Sequence, residues 1–153
     1  MILAHLPAGY LVGRAMPAAP WVIPAAVLGG ILRDFDLLAF YLWDDRAFHH
    51  HRYWVHIPGF WVLVAAITAP FISRAWKLPW LAFLTAIFVH IALDSIVGGI
   101  VWFWPFSDTM YTLIEVSARH QNWLLNFILH WTFFALELPI IVTAFYLWWR
   151  RDR

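Results

Sequence analysis

Residues 79–104 read PWLAFLTAIFVHIALDSIVGGIVWFW. Wound as an α-helix rising about 1.5 Å per residue, the stretch is long enough for a bilayer core of about 30 Å. Its only ionisable groups, His90 and Asp94, fall in its interior. A charge at such a place costs about 2.5–3.5 kcal/mol on insertion scales, so it is expected to face a partner or a wet cavity rather than lipid. Four residues apart on a helix, the two side chains share a face one turn from each other. An apolar span with a polar face predicts an all-α, polytopic membrane bundle closed around a polar centre.

The rest of the chain agrees. Hydrophobic residues make up 63% and charged ones 12%, against about 45–50% and about 25% in soluble domains. The twelve tryptophans suit the headgroup boundary. A length of 153 residues predicts one membrane-embedded domain, 1–153. The formal net charge of +1 makes no case for a nucleic-acid partner. The absence of cysteine excludes disulfides and thiolate metal sites. The N-terminus lacks the charged region and cleavage site of a secretory signal.

Three further spans are expected, giving about four. Residues 57–73 are clean but short, and 123–149 carry Asn126, His130 and Glu137. Residues 21–43 are interrupted by Arg33, Asp34 and Asp36. The first 20 residues, with Gly9 and Gly13 separated by three residues, read as a short helix or re-entrant segment. Lys and Arg favour the cytoplasmic side. The C-terminal RRDR, Arg74 with Lys77, and the N-terminus with Arg14 are therefore expected inside. The loop 105–122 and the histidine-rich run 49–56 are expected outside, against the pull of Arg46 and Arg52.

That run belongs to DRAFHHHRYWVH, residues 45–56. Counted from the outer ends of the spans, Asp34, Asp36, His90, Asp94, His130 and Glu137 lie at similar depth, roughly 10–20 Å down. His51 and His56 would cover them, while His49 and His50 read as interfacial polar residues. Asp34 and Asp36 would point opposite ways on a helix, so a break after Gly29 and Gly30 is expected. Imidazole and carboxylate without thiolate suit zinc, manganese or iron. Water on such an ion ionises near pH 7, and paired ions can clamp a phosphate ester. Arg33 or Arg52 would hold a phosphate oxygen. His130 and Glu137 would support the ligands or relay a proton. Blander readings compete: His130 as a strut between helices, Arg33 as the salt-bridge partner of its aspartates, and Arg52 as a headgroup contact.

Five pieces in order, HLPAGYL (5–11), ILRDFD (31–36), HHHRYWVHIP (49–58), HIALD (90–94) and WPFS (104–107), resemble the inner-membrane metal-dependent hydrolase family labelled LexA-binding or YdjM-like. The resemblance covers roughly residues 3–107, and NFILHW (126–131) is in keeping. It implies a multi-pass protein of a bacterial-type inner membrane and, more distantly, kinship with zinc-dependent phospholipase C. The implied ligands are His5, Asp34, Asp36, His51, His56, His90 and Asp94, around one to three divalent ions, zinc foremost. Arg33 stands where that family commonly has proline. His130 and Glu137 are seven apart, not at the spacing of the distant group's late His–Glu pair.

The expected function is hydrolysis of a phosphate ester such as a phospholipid by metal-activated water, with membrane lipids as surroundings or substrate. Two rivals are an ion or proton transporter, and a partner-binding membrane protein with a structural metal. A transporter needs a polar stripe continuing to the other face, and the apolar residues 138–149 count against one.

Overall fold

The computed structural model describes residues 3–43 and 49–151. Arg46, together with Asp152 and Arg153 of the C-terminal run, lies outside the described residues. Seven α-helices follow in order: α1 His5–Ala15, α2 Val22–Ile31, α3 Asp36–Leu42, α4 Pro58–Thr68, α5 Lys77–Val97, α6 Trp123–Ile128 and α7 Leu138–Arg150. No strand forms among the described residues; Ile100 and Tyr111 make one isolated antiparallel bridge.

Small residues decide the central packing. A Cβ on Gly9 would stand 2.7 Å from the Ala26 carbonyl oxygen, and one on Gly13 would stand 2.8 Å from the Ile23 Cα. The backbones of α1 and α2 therefore approach closely, as small-residue faces allow. Val22 and Ala26 of α2 then bury against Ala82 and Ala86 of α5, with Val12, Met16 and Leu78 packed around them. Ile87 and Ile91 of α5 bury against Trp61 and Ile100 on another side.

This packing fixes both ends of the hairpin. Met16 and Leu78 meet in one cluster, and Trp21 stacks on Trp76 at 6.4 Å. The α1–α2 turn therefore lies beside the start of α5. The opposite ends, at His5 and Gly30, lie beside His90. The hairpin helices rise only about 15–16 Å against about 31 Å for α5. His5 and Arg14 sit at opposite ends of α1. One short helix thus takes His5 to the polar cluster and Arg14 toward the end of the bundle that holds Lys77.

Among the described residues, two helices are long and apolar enough to cross a membrane, Lys77–Val97 and Phe133–Arg150. The second begins as a π-turn, Phe133–Glu137, continuous with α7. The four-span expectation is therefore met only in part. The apolar run Pro58–Phe71 is shorter. Residues 21–43 divide into α2, a 3-10 turn at Leu32–Phe35, and α3. The helical stretch 123–149 is broken after Ile128, the end of α6, and Asn126 lies within α6. Its side chain accepts from the Arg119 and His120 amides and donates to the His120 carbonyl, so it ties α6 to the preceding loop.

Candidate metal centre

The break in 21–43 brings the two aspartates to the site. At 3.0 residues per turn, residues two apart diverge by about 120°, rather than the roughly 160° of an α-helix. Asp34 meets His5 and His90, at 3.2 Å and 3.4 Å. Asp36 meets His56 at 2.9 Å and His50 at 3.7 Å. The expected pair His90 and Asp94 share one face of α5, with Nε2 and Oδ2 2.9 Å apart.

Asp94 is the centre of the group. Its Oδ1 lies 3.0 Å from His5 Nε2. Its Oδ2 lies 2.9 Å from His90 Nε2 and 3.8 Å from the Nε2 atoms of both His51 and His56. His5 and His90 stack face to face at 3.5 Å. Among the described residues, three sets of side chains have ligand atoms close enough to share an ion: His50, His51 and His56; His5, His90 and Asp94; and Asp34, His56 and His90. The side chains of His5, His56, His90 and Asp94 are at most 4% exposed, whereas that of Asp34 is 33% exposed. Asp34 thus marks the open side.

The far sides of two rings show which nitrogens face inward. His90 Nδ1 lies 2.6 Å from the Gly30 carbonyl. His51 Nδ1 lies 3.1 Å and 2.9 Å from the carbonyls of Gly98 and Gly99. A carbonyl only accepts, so each Nδ1 carries the proton and donates. A neutral ring then presents a bare Nε2 lone pair. His51 is neutral, because burial, joined by its histidine neighbours, pushes it down to about 3 despite the pull of Asp94. The Nε2 atoms of His5, His56 and His90 are buried, and those of His5 and His90 have Asp94 oxygens at 3.0 Å and 2.9 Å. For His51 and His90, a lone pair aimed at a carboxylate repels it unless a proton or a metal cation lies between them. Bonds of about 2.0–2.1 Å to a tetrahedral ion separate neighbouring ligand atoms by about 3.3 Å. The separations observed bracket that value, so the donor set fits a divalent ion.

His50 was not expected here. In HHR, a 3-10 turn at His50–Arg52 gathers side chains that a sequence pattern treats as a solvated run. Other expected residues lie elsewhere. Arg52 is exposed. His130 Nδ1 contacts Thr132 Oγ1 at 2.9 Å and belongs to none of the three sets. Glu137 reaches the site indirectly. Its Oε2 accepts from the amides of Leu3 and Ala4, at 2.7 Å and 3.2 Å. It thereby binds the free donors at the start of α1, just ahead of His5, where no side chain of α1 caps the helix. Glu137→Leu is expected to destabilise the protein by about 1–3 kcal/mol, and Glu137→Gln, which keeps an acceptor, by less. Thermal melting of the two variants checks this order.

These features define an all-helical chain with two membrane-length helices and a buried imidazole–carboxylate cluster. It belongs to the YdjM inner membrane protein family, whose sequence model matches residues 1–152. No curated protein and no solved structure matches the chain. The comparisons thus carry the inner-membrane family and no hydrolase or phospholipase C relative.

Proposed function

We propose that this protein is a multi-pass, metal-dependent hydrolase of phosphate esters, built around a divalent ion, zinc foremost. One observation carries the reading: four imidazole Nε2 atoms lie 2.9–3.8 Å from one buried carboxylate. His5, His51, His56, His90 and Asp94 would hold the ion, with Asp34 closing the open side. Asp36, expected as a ligand, is read instead as the carboxylate that turns His56 inward, a role that outer partners of ligating histidines commonly fill. A bound divalent ion supplies Lewis-acid chemistry and lowers the pKa of water to about 7. The chain's own residues exclude bulk water from all but the Asp34 side, and Gly30, Gly98 and Gly99 hold two rings in their tautomers. His130 and Glu137 take no part at the reacting atoms.

The test is the purified protein in detergent, with zinc content and turnover of a chromogenic phosphodiester read together. Retained zinc, with turnover lost on chelation and restored by zinc, is expected. Turnover indifferent to chelation removes the reading.

A further inference from the structure

Arg33 is completely buried. All three of its guanidinium nitrogens lack a hydrogen-bond partner among the described residues. Asp34, Asp36 and Asp94 act on it through charge, yet none completes its fork of five donors. Such a group is costly to leave unmet, and an anion with several oxygens is its natural complement.

A cavity of about 390 Å³ adjoins it. Leu32, Phe35, Ala39, Trp54 and Trp61 contribute apolar lining, and Arg33 and Asp36 are its charged residues. Asp36 links this groove to the metal cluster through His56. The groove's surroundings face outward: no residue of α3 is buried, and Phe35, Leu38, Leu42 and Trp54 are large exposed apolar side chains. An apolar groove open among exposed apolar residues, with a guanidinium lacking hydrogen-bond partners beside it, is complementary to an amphiphile.

We propose that the groove between α3 and residues 53–61 takes the alkyl chain of an anionic bilayer lipid whose phosphate sits on Arg33. The proposal rests on the phosphate-ester reading above and names its substrate class. Arg33 selects the anionic head, and the groove selects lipid over free phosphate.

The test measures binding, so it does not depend on turnover. Dodecyl phosphate and inorganic phosphate are titrated by tryptophan fluorescence in micelles of a neutral steroid-based detergent. Wild type is expected to prefer dodecyl phosphate by at least about tenfold, and Ala39→Trp, which fills the groove, to bring the two ligands to parity. Arg33→Met is expected to weaken both ligands by about tenfold or more, the cost of hydrogen bonds to a charged group, and Arg33→Lys less. An unchanged preference in Ala39→Trp overturns the groove. Unchanged affinities in Arg33→Met overturn the anion site. Zinc content is read separately on the same samples. Zinc without alkyl-phosphate preference overturns the lipid proposal and spares the metal centre. The preference without zinc overturns the metal centre and spares the lipid site.

Discussion

Asp94→Asn is expected to strip the protein of zinc and of hydrolytic activity while leaving the fold in place. The exchange is nearly isosteric, so the packing of α5 survives. It removes the charge toward which His5, His51, His56 and His90 all turn an Nε2. Asp34, Asp36 and Asp94 outnumber the one buried guanidinium, Arg33, and removing one carboxylate reduces the negative charge available to a divalent ion. Losing an outer partner of a ligand already costs about 10–100-fold in metal affinity or activity, and losing this ligand is expected to cost more than about 100-fold. Elemental analysis reads the first effect directly. Melting curves read it independently, because an ion that binds only the folded state raises the melting temperature. That zinc-dependent rise is expected in wild type and absent in Asp94→Asn. Full zinc content in the variant would remove Asp94 from the centre, and with it the convergence on which the proposed chemistry stands.

The sequence made parts of this site readable because some of its physics is local. The four-residue spacing of His90 and Asp94 put them on one face without knowledge of anything else. Glycines before ILRDFD announced a break, and the 3-10 turn explains how Asp34 and Asp36 both reach the cluster. Other parts depend on contacts distant along the chain. His5 was suggested by resemblance alone; nothing in HLPAGYL says that α1 stops halfway and returns. That follows from backbone contact at Gly9 and Gly13, which spacing hints at and only packing settles. Glu137 drew attention as an acid inside an apolar run, but its partners are main-chain amides more than 130 residues away, which no side-chain pattern reveals. The span count is met only in part for a related reason. Hydropathy measures what a segment can do in lipid, whereas Arg33, Asp34 and Asp36 divert 21–43 to the cluster, and 57–73 forms only the shorter apolar run Pro58–Phe71.

Gly30→Ala is the second large effect expected, and its sign opposes the usual rule. In a lone helix alanine outranks glycine by about 1 kcal/mol. Here a Cβ would stand 2.7 Å from the His5 carbonyl oxygen and 3.1 Å from the Gly9 Cα. Both neighbours are backbone, so no flexible side chain can yield, and α1 has to move away from α2. Overpacking of this kind costs about 1–3 kcal/mol, enough to outweigh the propensity gain, so the melting temperature is expected to fall. The site should suffer more than the fold. The α2 backbone at Gly30 also supplies the carbonyl that accepts from His90 Nδ1 at 2.6 Å, and the displaced helix carries His5. One methyl group therefore disturbs two of the ligands around Asp94. Zinc affinity is expected to fall by about tenfold or more, as when an outer partner is lost. Gly59→Ala is the control: it lies in α4, where the added Cβ meets only the Trp104 carbonyl, at 3.1 Å. It should leave zinc affinity alone. Equal zinc affinity in Gly30→Ala and Gly59→Ala would mean that the closeness of α1 to α2 does not set the geometry of the centre.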